Sequence, residues 1–172
     1  MLKGLFRKLL TGSSQTQHES IPEILADVAI SLFNVNRNVR NMIKQIYSGD
    51  DVAKISFGLS GLGLHTVITS ITHAPSPDIG ERINDDIHRE FQRKTLTVAS
   101  TMGNIDSYYS ALESLLQNID QFIDNGDIPM GGLMTIIGRS VLSDYTRYKD
   151  LGILALHETV FNIFINAKRS LT

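Results

Sequence analysis

"ISFGLSGLGLHTVITSIT", residues 55–72, is the stretch whose reading decides the fold. It carries no charged residue, and Gly58, Gly61 and Gly63 fall within six positions. Three readings compete. A membrane span needs roughly 20 predominantly apolar residues. This run offers 18, many of them Ser, Thr or Gly, with His65 in the middle and Lys54 against one end. A phosphate-binding loop needs a preceding strand and a following Lys-Ser/Thr pair, and "GLSGLG" has neither. The third reading is a helix on which Gly58, Ser60 and Gly61 form a small-residue surface for the close approach of another helix. Glycine inside a helix costs about 1 kcal/mol relative to alanine, and tight packing is the natural compensation. The expectation is a helix buried on most sides.

Working outward, the preceding segment opens with "SIPE". Ser20 and Glu23 have capping-box spacing, and Pro22 suits a first helical turn. Ile21, Leu25, Val28, Leu32, Val35, Val39, Met42 and Ile46 follow in alternating steps of four and three, a heptad seam. That spacing predicts one helix over about 21–48, ending at Gly49. After "APSPD", with Ser76 as a cap, the same rhythm returns at Phe91, Thr95, Val98, Met102, Ile105, Tyr109, Leu112, Leu116, Ile119 and Ile123. It predicts one helix over about 77–125, roughly 70 Å long at 1.5 Å per residue. A turn at "DNGDIP" leads to a fourth helical pattern over about 130–169, weak near Asp144, with either a kink or continuity at Gly152.

These lengths predict an all-α fold. A short helical hairpin (about 21–73) packs on a long antiparallel one (about 77–169), giving an elongated bundle. Residues 104–150 project as a two-helix arm, and Met102, Ile105, Tyr109, Leu112 and Leu116 form a seam suited to a homo-oligomer. Residues 20–172 make one helical-bundle domain. Ahead of it, residues 13–19 read as a flexible linker and residues 1–12 as a tethered amphipathic segment. Leu2, Leu5, Phe6, Leu9 and Leu10 share one helical face, and Lys3, Arg7 and Lys8 lie largely away from it. The interleaving of charges argues against a cleaved secretory signal. Such a segment docks on a partner groove or on a membrane interface, or is a plain disordered leader.

Composition narrows the chemistry. There is no cysteine, which removes disulfides, thiolate catalysis and thiolate metal ligation. Only 20% of residues are charged, so much of the polar surface is Ser, Thr and Asn, permissive of protein contacts. The net charge of −2 gives no global attraction to nucleic acid. A di-iron bundle needs Glu-x-x-His on two helices, and Asp85-x-x-His88 is the nearest approach. His65 and His157 sit in apolar surroundings and read as core histidines. "INDDIHREFQRK" reads as a solvated face with helix-spaced pairs such as Asp85–Arg89 and Glu90–Lys94. No nucleophile motif occurs. The expectation is therefore no enzyme, no cofactor and no metal.

What remains is binding. The leading expectation is a cytoplasmic helical adaptor or scaffold working through protein–protein contacts, with a protein partner, a homo-oligomer, or both. One alternative is nucleic-acid binding through Arg37, Arg40, Asn41 and Lys44, which share a face opposite the heptad seam. Another is peripheral membrane association through residues 1–12.

Overall fold

The structure is a computed structural model that describes residues 20–71, 77–125, 132–148 and 151–171. The expected amphipathic segment, its linker, the cap at Ser76 and the "DNGDIP" turn lie outside the described residues. Among those described there are seven α-helices and no strand: α1 (Ile21–Asn34), α2 (Arg37–Ile46), α3 (Asp50–Ile71), α4 (Pro77–Thr95), α5 (Ile105–Asn125), α6 (Gly132–Val141) and α7 (Leu151–Leu171). Short 3-10 turns follow α4 (Leu96–Ser100) and α6 (Tyr145–Arg147).

The uncharged stretch forms most of α3, and α3 is the centre of the molecule: every other α-helix packs against it. Among the described residues it alone is long and apolar enough to cross a membrane, yet 67% of its most apolar window is buried inside the fold. Its three glycines serve three neighbours. A Cβ on Gly58 would lie 2.4 Å from Ile137 Cγ2 of α6, and one on Gly61 would lie 2.3 Å from Leu115 Cδ2 of α5. On Gly63 it would lie 1.9 Å from the Ala29 carbonyl oxygen of α1. The small-residue surface is thus three surfaces, and the backbone-to-backbone approach falls at Gly63. Beside it, Asn34 Nδ2 donates to Ser60 Oγ (2.9 Å) and to the Ser56 carbonyl (3.0 Å), which ties the end of α1 to α3.

The helix starting at Ile21 is capped as expected: Glu23 N–H reaches Ser20 Oγ at 3.4 Å, and Pro22 lies in the first turn. It does not run on to residue 48. Asn36 turns its side chain back to accept from the N–H groups of Asn38 (3.0 Å) and Val39 (3.2 Å), so it caps a new helix, α2. The two-residue break shifts the seam. Val39 and Ile43 are buried, but Val35 is 66% exposed.

The expected single helix over 77–125 is also divided. Tyr108 packs its ring on Phe57 of α3 (5.1 Å between centroids), and its hydroxyl meets Thr95 Oγ1 at 2.7 Å. That contact folds α5 back on the end of α4. The chain reverses at Gly103, whose φ of +104° suits glycine, and Asn104 Oδ1 accepts from Ser107 N–H (2.8 Å) to cap α5. The fourth pattern breaks near the weak position: α6 ends at Val141, and α7 begins at Leu151 with Gly152 in its first turn. The expected arm therefore does not project. Both α5 and α6 lie on α3, and Leu112, Leu115, Ile119, Leu133, Ile137 and Val141 join the same core as α1 and α2. Nor is α7 apolar on every side in effect: Leu156, Val160, Phe164 and Ala167 are buried, whereas Leu154 is exposed.

Candidate functional site

Several buried and half-buried polar side chains hold helices together. His157 Nδ1 accepts from Leu133 N–H (3.0 Å) in the first turn of α6. Its ring lies where a Cβ on Gly132 would be, 2.0 Å from Cε1, at a φ of +52°. Burial pulls the His157 pKa below the ordinary histidine value, opposed by Glu158. The imidazole is thus held as a neutral acceptor at a helix N-terminus, which is a capping role. His65 Nε2 lies 2.6 Å from Asp120 Oδ1, joining α3 to α5. A carboxylate only accepts, so this nitrogen carries the proton. Tyr148 donates to Asp51 Oδ2 and packs edge-on against Tyr47, whose phenol burial and Tyr148 push up to about 12.

The charged face of α4 is partly consumed in the same way. Lys94 bridges to Asp27 (2.7 Å) and Glu23 (3.5 Å) of α1, while Arg93 reaches Glu23 (3.2 Å) and Glu90 (2.8 Å). The pair on Arg89 is Asp86 rather than Asp85. Around His88, burial lowers the pKa and Asp85 opposes it. Among the described residues no group of three His, Cys, Asp or Glu side chains is placed to hold a metal ion.

Two outer faces stand out among the described residues. On α2, Arg37, Arg40, Asn41 and Lys44 are all exposed, as the heptad phase predicts, and Val39 and Ile43 point inward. No acidic residue occurs between Asp27 and Asp50, and none of the three cations has an ion pair to a described carboxylate.

The second face is the outer side of α5. Tyr108, Ala111, Leu112, Leu115 and Ile119 face the core. Ile105 (46% exposed), Tyr109 (44%), half-buried Leu116 and Ile123 (37%) form an apolar ridge along one flank. Asp106, Glu113 and Asp120 form an acidic ridge beside it, all exposed and seven residues apart, with one oxygen of Asp120 also holding His65. No Lys or Arg occurs from Thr95 to Gly138. Of the expected seam, Ile105, Tyr109 and Leu116 lie on this ridge, Leu112 is inside, and Met102 is half-buried in the turn before α5. The acidic ridge is the part that the apolar periodicity did not reveal. The seven-residue spacing of its carboxylates and the long Lys/Arg-free run were the available signals.

Fold and faces together define a glycine-packed, all-α protein with two helix faces of opposite charge, one of them flanked by apolar side chains. The chain matches no protein-family model, no curated protein and no solved structure.

Proposed function

We propose that this chain is a non-enzymatic, cytoplasmic helical adaptor or scaffold that acts through protein–protein contacts. The observation that supports this most is the outer face of α5. Exposed apolar side chains scattered singly need no explanation, but an aligned ridge rimmed by charge is the usual form of a contact surface. The polar groups described above are taken up in packing, whereas the outer face of α5 is exposed. The test is capture of interacting chains by crosslinking in cell extract with wild type, Ile105→Ser and Tyr109→Ser. Ile105→Ser is at an exposed position and should stay within about 0.5 kcal/mol of wild type, and Tyr109→Ser, which also gives up its ring contact with Tyr108, within about 1.5 kcal/mol. Loss of a captured protein with the chain still folded supports the reading. An unchanged set of captured proteins in both variants removes it.

A second reading has its own support in the exposed cations of α2, with Asn41 adding hydrogen-bonding capacity for phosphate. Three phosphate contacts would give a slope of about −2.7 in log K against log salt. Arg40→Glu should then weaken binding to any duplex or single strand alike. A flat salt dependence, or no binding at low salt, ends this reading. The third, a peripheral membrane role for residues 1–12, is tested by flotation with anionic and neutral vesicles.

A further inference from the structure

We infer that the outer face of α5 is the receptor for residues 1–12 of a second copy of this chain. The inference deepens the adaptor reading, on which it rests, by naming one occupant.

Charge and apolar pattern agree on both sides. The receptor face carries Asp106, Glu113 and Asp120 in a line of about 21 Å, taken as 14 residues at 1.5 Å. Beside that line run Ile105, Tyr109, Leu116 and Ile123. The segment carries Lys3, Arg7 and Lys8 beside Leu2, Leu5, Phe6, Leu9 and Leu10, and has no acidic residue. An apolar stripe with a cationic edge thus meets an apolar ridge with an anionic edge. The outer face of α2 offers charge without apolar flanks, since Asn38, Asn41 and Gln45 fill its remaining outward positions. It complements only half of the receptor.

Where the linker starts decides between the same copy and another. Gly61 meets Leu115 of α5 and Gly63 meets Ala29 of α1. Two residues on a helix are about 200° apart, so α1 and α5 lie on opposite sides of α3. Neighbouring helix axes are ~9 Å apart, which puts α5 roughly 18 Å from α1. The outer face adds about 5 Å more. A seven-residue flexible linker has a root-mean-square span of ~15 Å and reaches ~24 Å only when fully extended. The segment leaves the domain at Ser20, on the α1 side, so the α5 face of a neighbour is the more accessible one. Reciprocal exchange would close a two-fold dimer.

The test is sedimentation of the full chain from 1 to 100 µM at low and high salt, as orders of concentration suited to micromolar association. Wild type should associate, and more weakly as salt rises. Glu113→Lys and Lys8→Glu should each weaken association at least tenfold, and the two combined should restore it. Tyr109→Ser should weaken it without responding to that charge exchange, and circular dichroism melts should overlay for the charge variants and show a folded chain for Tyr109→Ser. A wild type that is monomeric throughout overturns the inference, as does association indifferent to Glu113→Lys. If the chain is monomeric but Tyr109→Ser still loses a crosslinked partner, the inference falls and the adaptor reading stands. If neither association nor capture responds to any variant, both fall. Vesicle flotation abolished by Lys8→Glu and untouched by Glu113→Lys would assign the segment to lipid and also overturn the inference.

Discussion

Gly63→Ala tests the central claim about α3. In an exposed helix this change is favourable by about 1 kcal/mol, because alanine is the better helix former. Here the new Cβ would lie 1.9 Å from the Ala29 carbonyl oxygen and 2.8 Å from its carbon. Both atoms belong to the α1 backbone, so no side-chain rotation relieves the clash. The helices must part by about 1.5 Å, and a gap of 0.5–1 Å already forfeits a quarter to a half of each dispersion contact. Ala26, Ala29 and Phe33 are fully buried in α1, and the Asn34–Ser60 hydrogen bond spans the same crossing. Overpacking costs typically 1–3 kcal/mol and more where backbone must move, and the strained hydrogen bond adds about 1 kcal/mol. Net of the propensity gain, the expected loss is about 3 kcal/mol, or a fall in Tm of roughly 6–12 °C for a chain of this size. Gly61→Ala is the control. Its Cβ meets Leu115 Cδ2 at 2.3 Å, the far end of a flexible side chain, with the next atom at 3.5 Å. A rotamer change can clear it, so it should stay within about 1.5 kcal/mol of wild type. Urea midpoints followed by circular dichroism measure both. If Gly63→Ala is as stable as wild type, or no worse than Gly61→Ala, the backbone-contact account of this crossing is wrong.

Three further outcomes follow from named contacts. His157 is held neutral, with its folded pKa below the usual value of about 6.5. Its contribution is therefore complete above that pH and is lost as pH falls toward the folded value, because the unfolded chain then binds the extra proton. Urea midpoints should fall from pH 7.5 to 5, and less steeply in His157→Gln. Some slope remains because half-buried His88 acts with the same sign. Tyr108→Phe should cost about 1 kcal/mol through loss of the Thr95 hydrogen bond, whereas Tyr109→Phe, one residue along and exposed, should be neutral in the same chemical melt. Val35→Ser should change stability by less than about 0.5 kcal/mol. A loss of 2 kcal/mol would show that Val35 packs in the heptad seam after all.

Apolar periodicity and the cap at Ser20 determined the all-α class, the start of α1, the outward face of α2 and the burial of α3 on most sides, whereas its place at the centre came only with the packing. Each is a local consequence of which residues recur every three or four positions and which one caps. The sequence pattern misplaced the ends of the helices. A heptad rhythm passes unbroken through Asn36 and through Gly103–Asn104, because the periodicity counts hydrophobes and is blind to a side chain folding back on its own backbone. Whether Asn36 caps a new helix or rides within an old one depends on which alternative lets Phe33, Val39 and Ile43 all reach the core. That is a tertiary matter. So is the division of labour among Gly58, Gly61 and Gly63. Their spacing announces close neighbours, but only the packed structure assigns α6, α5 and α1 to them. The faces divide in the same way. The cations of α2 were legible as a stripe, since nothing competes for them nearby. Arg93 and Lys94 read as part of a solvated face, with Lys94 paired to Glu90 along its own helix, and are instead taken up by Glu23 and Asp27, some seventy residues earlier in the chain. The outer ridge of α5 became a surface only when Leu112 and Leu115 turned inward against Gly61, leaving Tyr109, Leu116 and the carboxylates beside them to face out.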